Sequence, residues 1–330
     1  MKWIGYLGGL MLAGILLFAA YAKAIDPQAF AEQIRAEGLG FGLPPFAMAV
    51  AAIALEAGLG LALLLNLRHR SVMIIATALV LGFIALTGRT YWRSSHGLLS
   101  AEEEARCGCF GNLVERTPGE AFWQDLALLL PALALAWTGR PPAESARSPR
   151  RLLVAGLGTI AAAGFAAAAP GLPLDNLATN AAPGVKIADI CAGKDKDRIC
   201  LDFLVPELRT GSHWVILVDV HAADFADTVG ALNRYVASGR NPGLAVLADL
   251  TQEEQMGIFW RLAPAFELHE TPLVLLRPLY RKLPRSLLIE EGRVIRTAAG
   301  LPAEFADAVP NAAVNASVNP THSTTDDPKP

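Results

Sequence analysis

The sequence predicts a helical membrane bundle followed by a soluble α/β domain. Composition points there first: 53% of the 330 residues are hydrophobic, 18% are charged, and the mean hydropathy is +0.36. An ordinary soluble protein is less apolar. Second, the first half holds five long apolar runs. Third, the second half alternates strand-like and helix-like segments, the plan of an α/β fold. A net charge of -3 offers no basic surface for nucleic acid.

The first run, Trp3 to Ala22, carries no charge. At about 1.5 Å per residue it crosses a hydrocarbon core of about 30 Å. It is longer than the apolar core of a signal peptide, and no small-residue cleavage site precedes Tyr21-Ala22-Lys23, so it reads as a retained span. A polar stretch from Asp26 to Gly40 follows. Pro44-Pro45 open the second run, which ends near Leu67 and holds a lone Glu56 near its middle. A carboxylate at that depth is costly and requires a partner facing the bundle interior. Glu56 is either a packing lock or a group for proton or quinone chemistry.

The third run covers Val72 to Thr87. The segment from Gly88 to Glu120 carries His96, three consecutive glutamates and Cys107-Gly108-Cys109-Phe110-Gly111. A fourth run, Phe122 to Trp137, holds Asp125 near its start and Pro131 inside, a residue that membrane helices tolerate. A fifth, rich in Ala and Gly, covers Leu152 to Ala169, and its small residues allow close helix contact. Basic residues are densest at Lys2, at Arg68 to Arg70 and between Arg140 and Arg151. That pattern puts these segments and the N-terminus in the cytoplasm, and all four cysteines and the C-terminal domain in the periplasm of a bacterial inner membrane. Lys23, Arg35, Arg89, Arg93, Arg106 and Arg116 count as dilute outer charges.

The domain boundaries follow. Residues 1–140 form the four-span part, 141–184 the fifth span and a linker, 185–308 the soluble domain, and 309–330 an Asn/Ser/Thr/Pro-rich tail that reads as disordered. In the soluble domain, Lys186 to Ile190 and Ile199 to Phe203 read as a hairpin, and Trp214 to Val220 as a buried strand. Asp227 to Ser238 reads as a helix and Leu244 to Ala248 as a strand. Thr251-Gln252-Glu253-Glu254 is a capping box opening a helix to Leu262. Pro272 to Leu276, Ser286 to Ile289 and Val294 to Arg296 read as strands.

Cys107 and Cys109 stand one glycine apart. A disulfide needs Cα atoms about 4.4–6.8 Å apart, so closing this pair requires a turn, which Gly108 permits. So short a ring gains little from loop closure and suits exchange more than structure. Two other readings stay open: a pair of packed thiols, and a metal site with His96 and a carboxylate, which lacks a further cysteine or histidine nearby. Cys191 and Cys200 flank a polar turn. Bridging a loop of about 10 residues stabilises by roughly 2.7 kcal/mol in the chain-entropy model. They read as a structural disulfide, a resolving pair for the membrane cysteines, or free thiols.

Cys107-Gly108-Cys109-Phe110-Gly111 after the third span, the string from Ala22-Lys23-Ala24 to Ala29-Phe30 after the first, and Leu55-Glu56 in the second resemble the MauE branch of the DoxX-like redox-associated membrane proteins. The resemblance implies a four-helix bundle, with the fifth span outside it. It further implies a link, in methylamine users, to maturation of the disulfide-rich light subunit of methylamine dehydrogenase. The C-terminal domain resembles the thioredoxin fold through Val218-Asp219-Val220-His221-Ala222, Gly292-Arg293-Val294 and Gly300. Pro272, after Thr271, and Pro284, after Leu283, are the two candidates for that family's cis-proline. Asp219 stands where such folds keep a buried carboxylate. Phe225-Ala226-Asp227-Thr228 replaces the family's Cys-x-x-Cys, and without a thiol the position has no nucleophile.

Together these features predict an α-helical membrane bundle of DoxX-like type plus a fifth span, with an α/β thioredoxin-like domain. The function they imply is thiol-disulfide oxidoreduction through Cys107 and Cys109 with a periplasmic client or redox partner. A membrane quinone is the one cofactor weighed, by architectural analogy with other helical-bundle thiol oxidases. No metal is assigned. The alternative is a non-enzymatic assembly factor whose domain holds a client; a transporter fits less well, because Glu56 is the only strongly buried charge the sequence shows.

Overall fold

A computed structural model of the chain describes residues 2–39, 42–67, 70–99, 116–138, 148–193 and 198–306. It divides into two compact units. The first comprises Met1–Asn180 with Arg277–Arg281, and the second Ala181–Leu276 with Lys282–Pro330.

The first unit is helical: α1 (Lys2–Ile25), α2 (Pro27–Ala36), α3 (Pro45–Leu64), α4 (Arg70–Ser95), α5 (Pro118–Trp137) and α6 (Pro149–Ala168). Four segments are long and apolar enough to cross a membrane: Trp3–Ile25, Pro45–Leu64, Arg70–Ser95 and Pro149–Gly171. The protein is a membrane protein. α5 matches α3 in length, but it opens with Glu120, Gln124 and Asp125 and is not among the four.

Helix starts follow local chemistry. Asp26 Oδ1 accepts from Ala29 N at 3.2 Å and caps α2, with Pro27 in its first turn. Thr117 and Glu120 form a reciprocal capping box on α5. α1 runs three residues past Ala22 and takes Lys23 into the bundle. α4 continues past Thr87 through Arg89 and Arg93, beyond the end of the apolar run that predicts it.

α1 packs against α3 and α5, α3 also against α6 and α2, and α4 against α5. Leu12, Leu16, Leu59, Leu63, Met73, Val80 and Leu129 form the main apolar core. Small residues set the α3–α6 distance. A Cβ on Gly58 would lie 2.7 Å from Thr159 Oγ1, and one on Gly158 would collide with Leu61.

The second unit has the thioredoxin-like plan. Its five-stranded sheet combines β3 (Ser212–Leu217), β4 (Gly243–Ala248), β5 (Leu268–Glu270), β6 (Arg285–Glu290) and β7 (Arg293–Ala299) in the order β5-β4-β3-β6-β7. β3 runs parallel to β4 and antiparallel to β6, with Trp214 opposite both Leu244 and Leu288. Two helices, α7 (Phe225–Ala237) and α8 (Gln252–Leu262), follow β3 and β4. The central strand is apolar through Trp214-Val215-Ile216-Leu217 because both of its faces are covered. Trp214, Ile216, Leu232, Tyr235, Val246, Ile258 and Phe305 build the core.

Two local expectations change. Pro272 to Leu276 is not a strand: the strand is β5, and Leu273–Leu276 is one helical turn. Thr271 N makes the last bond toward β4, to Ala248 O at 2.9 Å. Pro272 has no N–H to continue, and its carbonyl instead accepts from Leu275 N and Leu276 N. The hairpin is also shorter than expected. β1 (Cys191–Ala192) pairs with β2 (Ile199–Cys200), between a 3-10 turn at Ile187–Asp189 and a short helix at Leu201–Leu204.

Candidate functional site

Glu56 lies on the inner face of α3 and is 0% exposed. Its partner is Lys23, from the last turn of α1 and 2% exposed, whose Nζ donates to Glu56 Oε1. Lys23 is thus a buried helix residue and not one of the dilute outer charges. The signal that could have found the pair is physical: a span with one buried carboxylate needs a cation, and Lys23 stands one residue beyond the nearest apolar run.

Two aromatic rings complete the cation's surroundings. Lys23 Nζ lies 4.8 Å from the Phe30 centroid and 4.6 Å from that of Phe83. One salt bridge and two ring faces, from α1, α2, α3 and α4, thus converge on one ammonium group. Glu56 Oε2 has no hydrogen-bond partner among the described residues. The two short strings Ala22 to Phe30 and Leu55-Glu56 therefore meet in space through Lys23, Phe30 and Glu56.

Three residues beyond Lys23, Asp26 caps α2. Burial, the dominant cause, raises its carboxyl above the ordinary range, and the Arg277 guanidinium works against the rise. Arg277, from the 277–281 segment of this unit, reaches Glu32 Oε2 at 3.4 Å and stacks over Tyr280.

Cys107 and Cys109 lie outside the described residues, but the helices on either side of their segment are fixed. Tyr91 near the end of α4 stacks on Phe122 in the first turns of α5, with centroids 5.5 Å apart. A Cβ on Gly119 would stand 3.2 Å from the Tyr91 ring. Arg116 pairs with Asp125 at 3.4 Å, both side chains being buried. Arg89 and Thr90 reach Glu37 at the end of α2. The end of α4 and the first turns of α5 thus meet at one end of the bundle, the end that also holds α2.

In the second unit, the chain opens α7 where a thioredoxin active site would stand. Phe225 is 4% exposed and belongs to the core, and Thr228 is also buried. Asp219 is exposed, which corrects the expectation of a buried carboxylate; its Oδ1 accepts from His221 N at 2.9 Å and closes a turn. β3 ends at Leu217, so Asp219 lies beyond the strand and outside its covered faces. Of the two proline candidates, the Leu283–Pro284 peptide is cis and precedes β6. The cis peptides among the described residues are at Pro242 and Pro284, so Pro272 is trans.

Cys191 and Cys200 stand directly opposite in the β1–β2 register, with Cα atoms 4.0 Å apart, and form a disulfide. No cluster of three or more metal-ligating side chains occurs among the described residues.

Residues 1–138 match the family model described as "Methylamine utilisation protein MauE". A search of curated proteins finds no match. Among solved structures, a candidate thiol:disulfide interchange protein DsbE from Chlorobium tepidum is similar over 37% of this chain and 89% of its own, at 15% identity and a TM-score of 0.28.

Proposed function

From the match of residues 1–138 to MauE, we propose that the chain is a membrane-embedded thiol-disulfide exchange protein acting through Cys107 and Cys109 on a periplasmic client. One observation carries the reading. The chain has four cysteines; none stands at the thioredoxin active-site position, and two are bonded to each other in the β1–β2 hairpin. The pair left over lies inside the MauE-like segment.

In the proposed step the thiolate of one membrane cysteine attacks a client disulfide and forms a mixed disulfide. The second cysteine then attacks its neighbour's sulfur and releases the client as a dithiol, leaving Cys107–Cys109 oxidised. The reverse sequence oxidises a client dithiol. The family description names methylamine utilisation, and the disulfide-rich light subunit of methylamine dehydrogenase, which the MauE resemblance implies, is the first client to test. The basic turns support an N-terminus in the cytoplasm and the domain in the periplasm of a bacterial inner membrane. Removing Lys23 from the outer charges, since Glu56 pairs with it, sharpens that asymmetry. In this reading the Lys23–Glu56 pair locks helix packing, and no step is routed through a quinone.

The test is activity in isolated membranes. Cys107→Ser and Cys109→Ser should each abolish exchange with a disulfide-bonded peptide, while the protein remains inserted and folded. Unchanged exchange in both variants would leave the second reading, an anchored assembly factor, which the missing active-site thiol in the domain favours.

A further inference from the structure

We propose that the Cys191–Cys200 disulfide is a second exchange site, with Cys191 as the sulfur that partners attack and Cys200 as the leaving group. This rests on the thiol-exchange reading and adds a station to it.

The two sulfurs have unlike surroundings. Cys191 is half-buried, whereas Cys200 is 8% exposed. Cys191 is therefore the more open of the two to an incoming thiolate. Next to Cys200 the chain exposes apolar surface. Ile199 is exposed, and Phe203 is 73% exposed, held by the Arg209 guanidinium 5.6 Å from its ring centroid. Arg209 is in turn fixed by Asp202 Oδ2 at 3.1 Å. An extended, apolar segment of a partner polypeptide could lie against Phe203 and bring a thiol to Cys191.

The bridge is also peripheral to what folds the domain. The main apolar core is built on the five-stranded sheet and, among the described residues, draws none from the strands of the two-stranded hairpin. Ile190, Ala192 and Leu201 are buried and hold the hairpin's base without the sulfurs. Opening the bond thus leaves the sheet and its core intact.

The chemistry balances as follows. A partner dithiol loses one proton, and its thiolate attacks Cys191 Sγ. The Sγ–Sγ bond breaks, and Cys200 departs as a thiolate that takes up a proton. The second partner thiol loses its proton and attacks the partner sulfur of the mixed disulfide, and Cys191 leaves and is protonated. Two electrons and two protons have moved from the partner to the hairpin. The class of oxidant that restores the bridge is a second disulfide, which in the proposed function is Cys107–Cys109.

The experiment uses full-length protein in membranes with Cys107→Ser and Cys109→Ser in place, so that only the hairpin can react. The probes are glutathione buffers of graded potential and a mass-tagged maleimide. We expect reduced glutathione to open the bridge while the thermal transition of the domain persists. On the same background, Cys200→Ser should trap glutathione on Cys191 at least about ten-fold faster than Cys191→Ser traps it on Cys200. Reduction that occurs only together with unfolding, or equal trapping by the two variants, overturns the proposal. Because Cys107 and Cys109 are absent, failure here is separate from failure of the membrane pair, which the exchange assay reads alone.

Discussion

Lys23 and Glu56, 33 residues apart in sequence, form an ion pair sealed inside the helical unit. The pair joins the end of α1 to the middle of α3, and the Phe30 and Phe83 rings cover the ammonium. Its members carry opposite charge where neither could reach water. Each alone would be an uncompensated buried ion, a penalty of about 3–5 kcal/mol when one partner of a buried pair is removed. Lys23→Met and Glu56→Leu should therefore each lower the thermal transition of the purified protein steeply. The double variant should recover most of that loss, because two apolar side chains leave no charge behind. Additive losses in the double variant would show that the two residues do not depend on each other.

The α3–α6 contact yields a prediction with a different cause. Gly58 faces Thr159 and Gly158 faces Leu61, with no room for a Cβ at either glycine. Gly58→Val and Gly158→Val should destabilise by about 1–3 kcal/mol through overpacking. Thr159→Ala should relieve Gly58→Val in part, since its hydroxyl is the nearest obstacle. It should not relieve Gly158→Val, whose obstacle is Leu61. Thermal unfolding of the three single variants and the two doubles checks this.

Much of this architecture was legible in the sequence, and the exceptions share a cause. Apolar runs announced α1, α3, α4 and α6 because a span must be continuous in hydrocarbon. Charges were harder. Lys23 was counted as a loop residue because a sequence shows position along the chain and not which helix supplies a counter-ion. Asp219 is expected in the interior from the thioredoxin resemblance and from a strand read through Val220, yet β3 stops two residues before it. Pro272 to Leu276 read as a strand because it is apolar, whereas the missing N–H of Pro272 turns it into a helical cap. Cys191 and Cys200 are recognisable as a pair, but their unequal exposure depends on how the folded hairpin sits, which the sequence does not show. The chemistry at Cys107 and Cys109 rests on sequence and family, since those residues lie outside the described structure.

The buried Phe225 predicts what grafting an active site would do. Phe225→Cys with Thr228→Cys restores the thioredoxin spacing, but both positions are buried and Phe225 belongs to the core. Shortening Phe225 leaves a cavity costing about 2–4 kcal/mol, and burial keeps a thiol protonated and slow. We expect the double variant to melt earlier and to show no gain in thiol exchange on a Cys107→Ser/Cys109→Ser background. A rapid gain in exchange would mean that the start of α7 opens to solvent.

The capping box of α8 gives a pH prediction. Glu254 Oε2 accepts from Thr251 N at 2.8 Å and from Thr251 Oγ1 at 2.9 Å, and these bonds hold its carboxyl below the usual value. A carboxylate with a depressed folded-state pKa adds stability that is present above its unfolded value, near 4.5, and is lost as pH falls through the folded value. Thr251→Ala removes the hydroxyl bond and keeps the backbone one. The Glu254 pKa should therefore rise part of the way back to 4.5, and the acid-side loss of stability at this helix should become smaller and be complete at a higher pH. A side-chain titration of the full-length protein followed by NMR reads the shift directly. An unchanged Glu254 titration in Thr251→Ala would assign the whole effect to the backbone N–H, in which case Thr251→Pro, which lacks that donor, should move it.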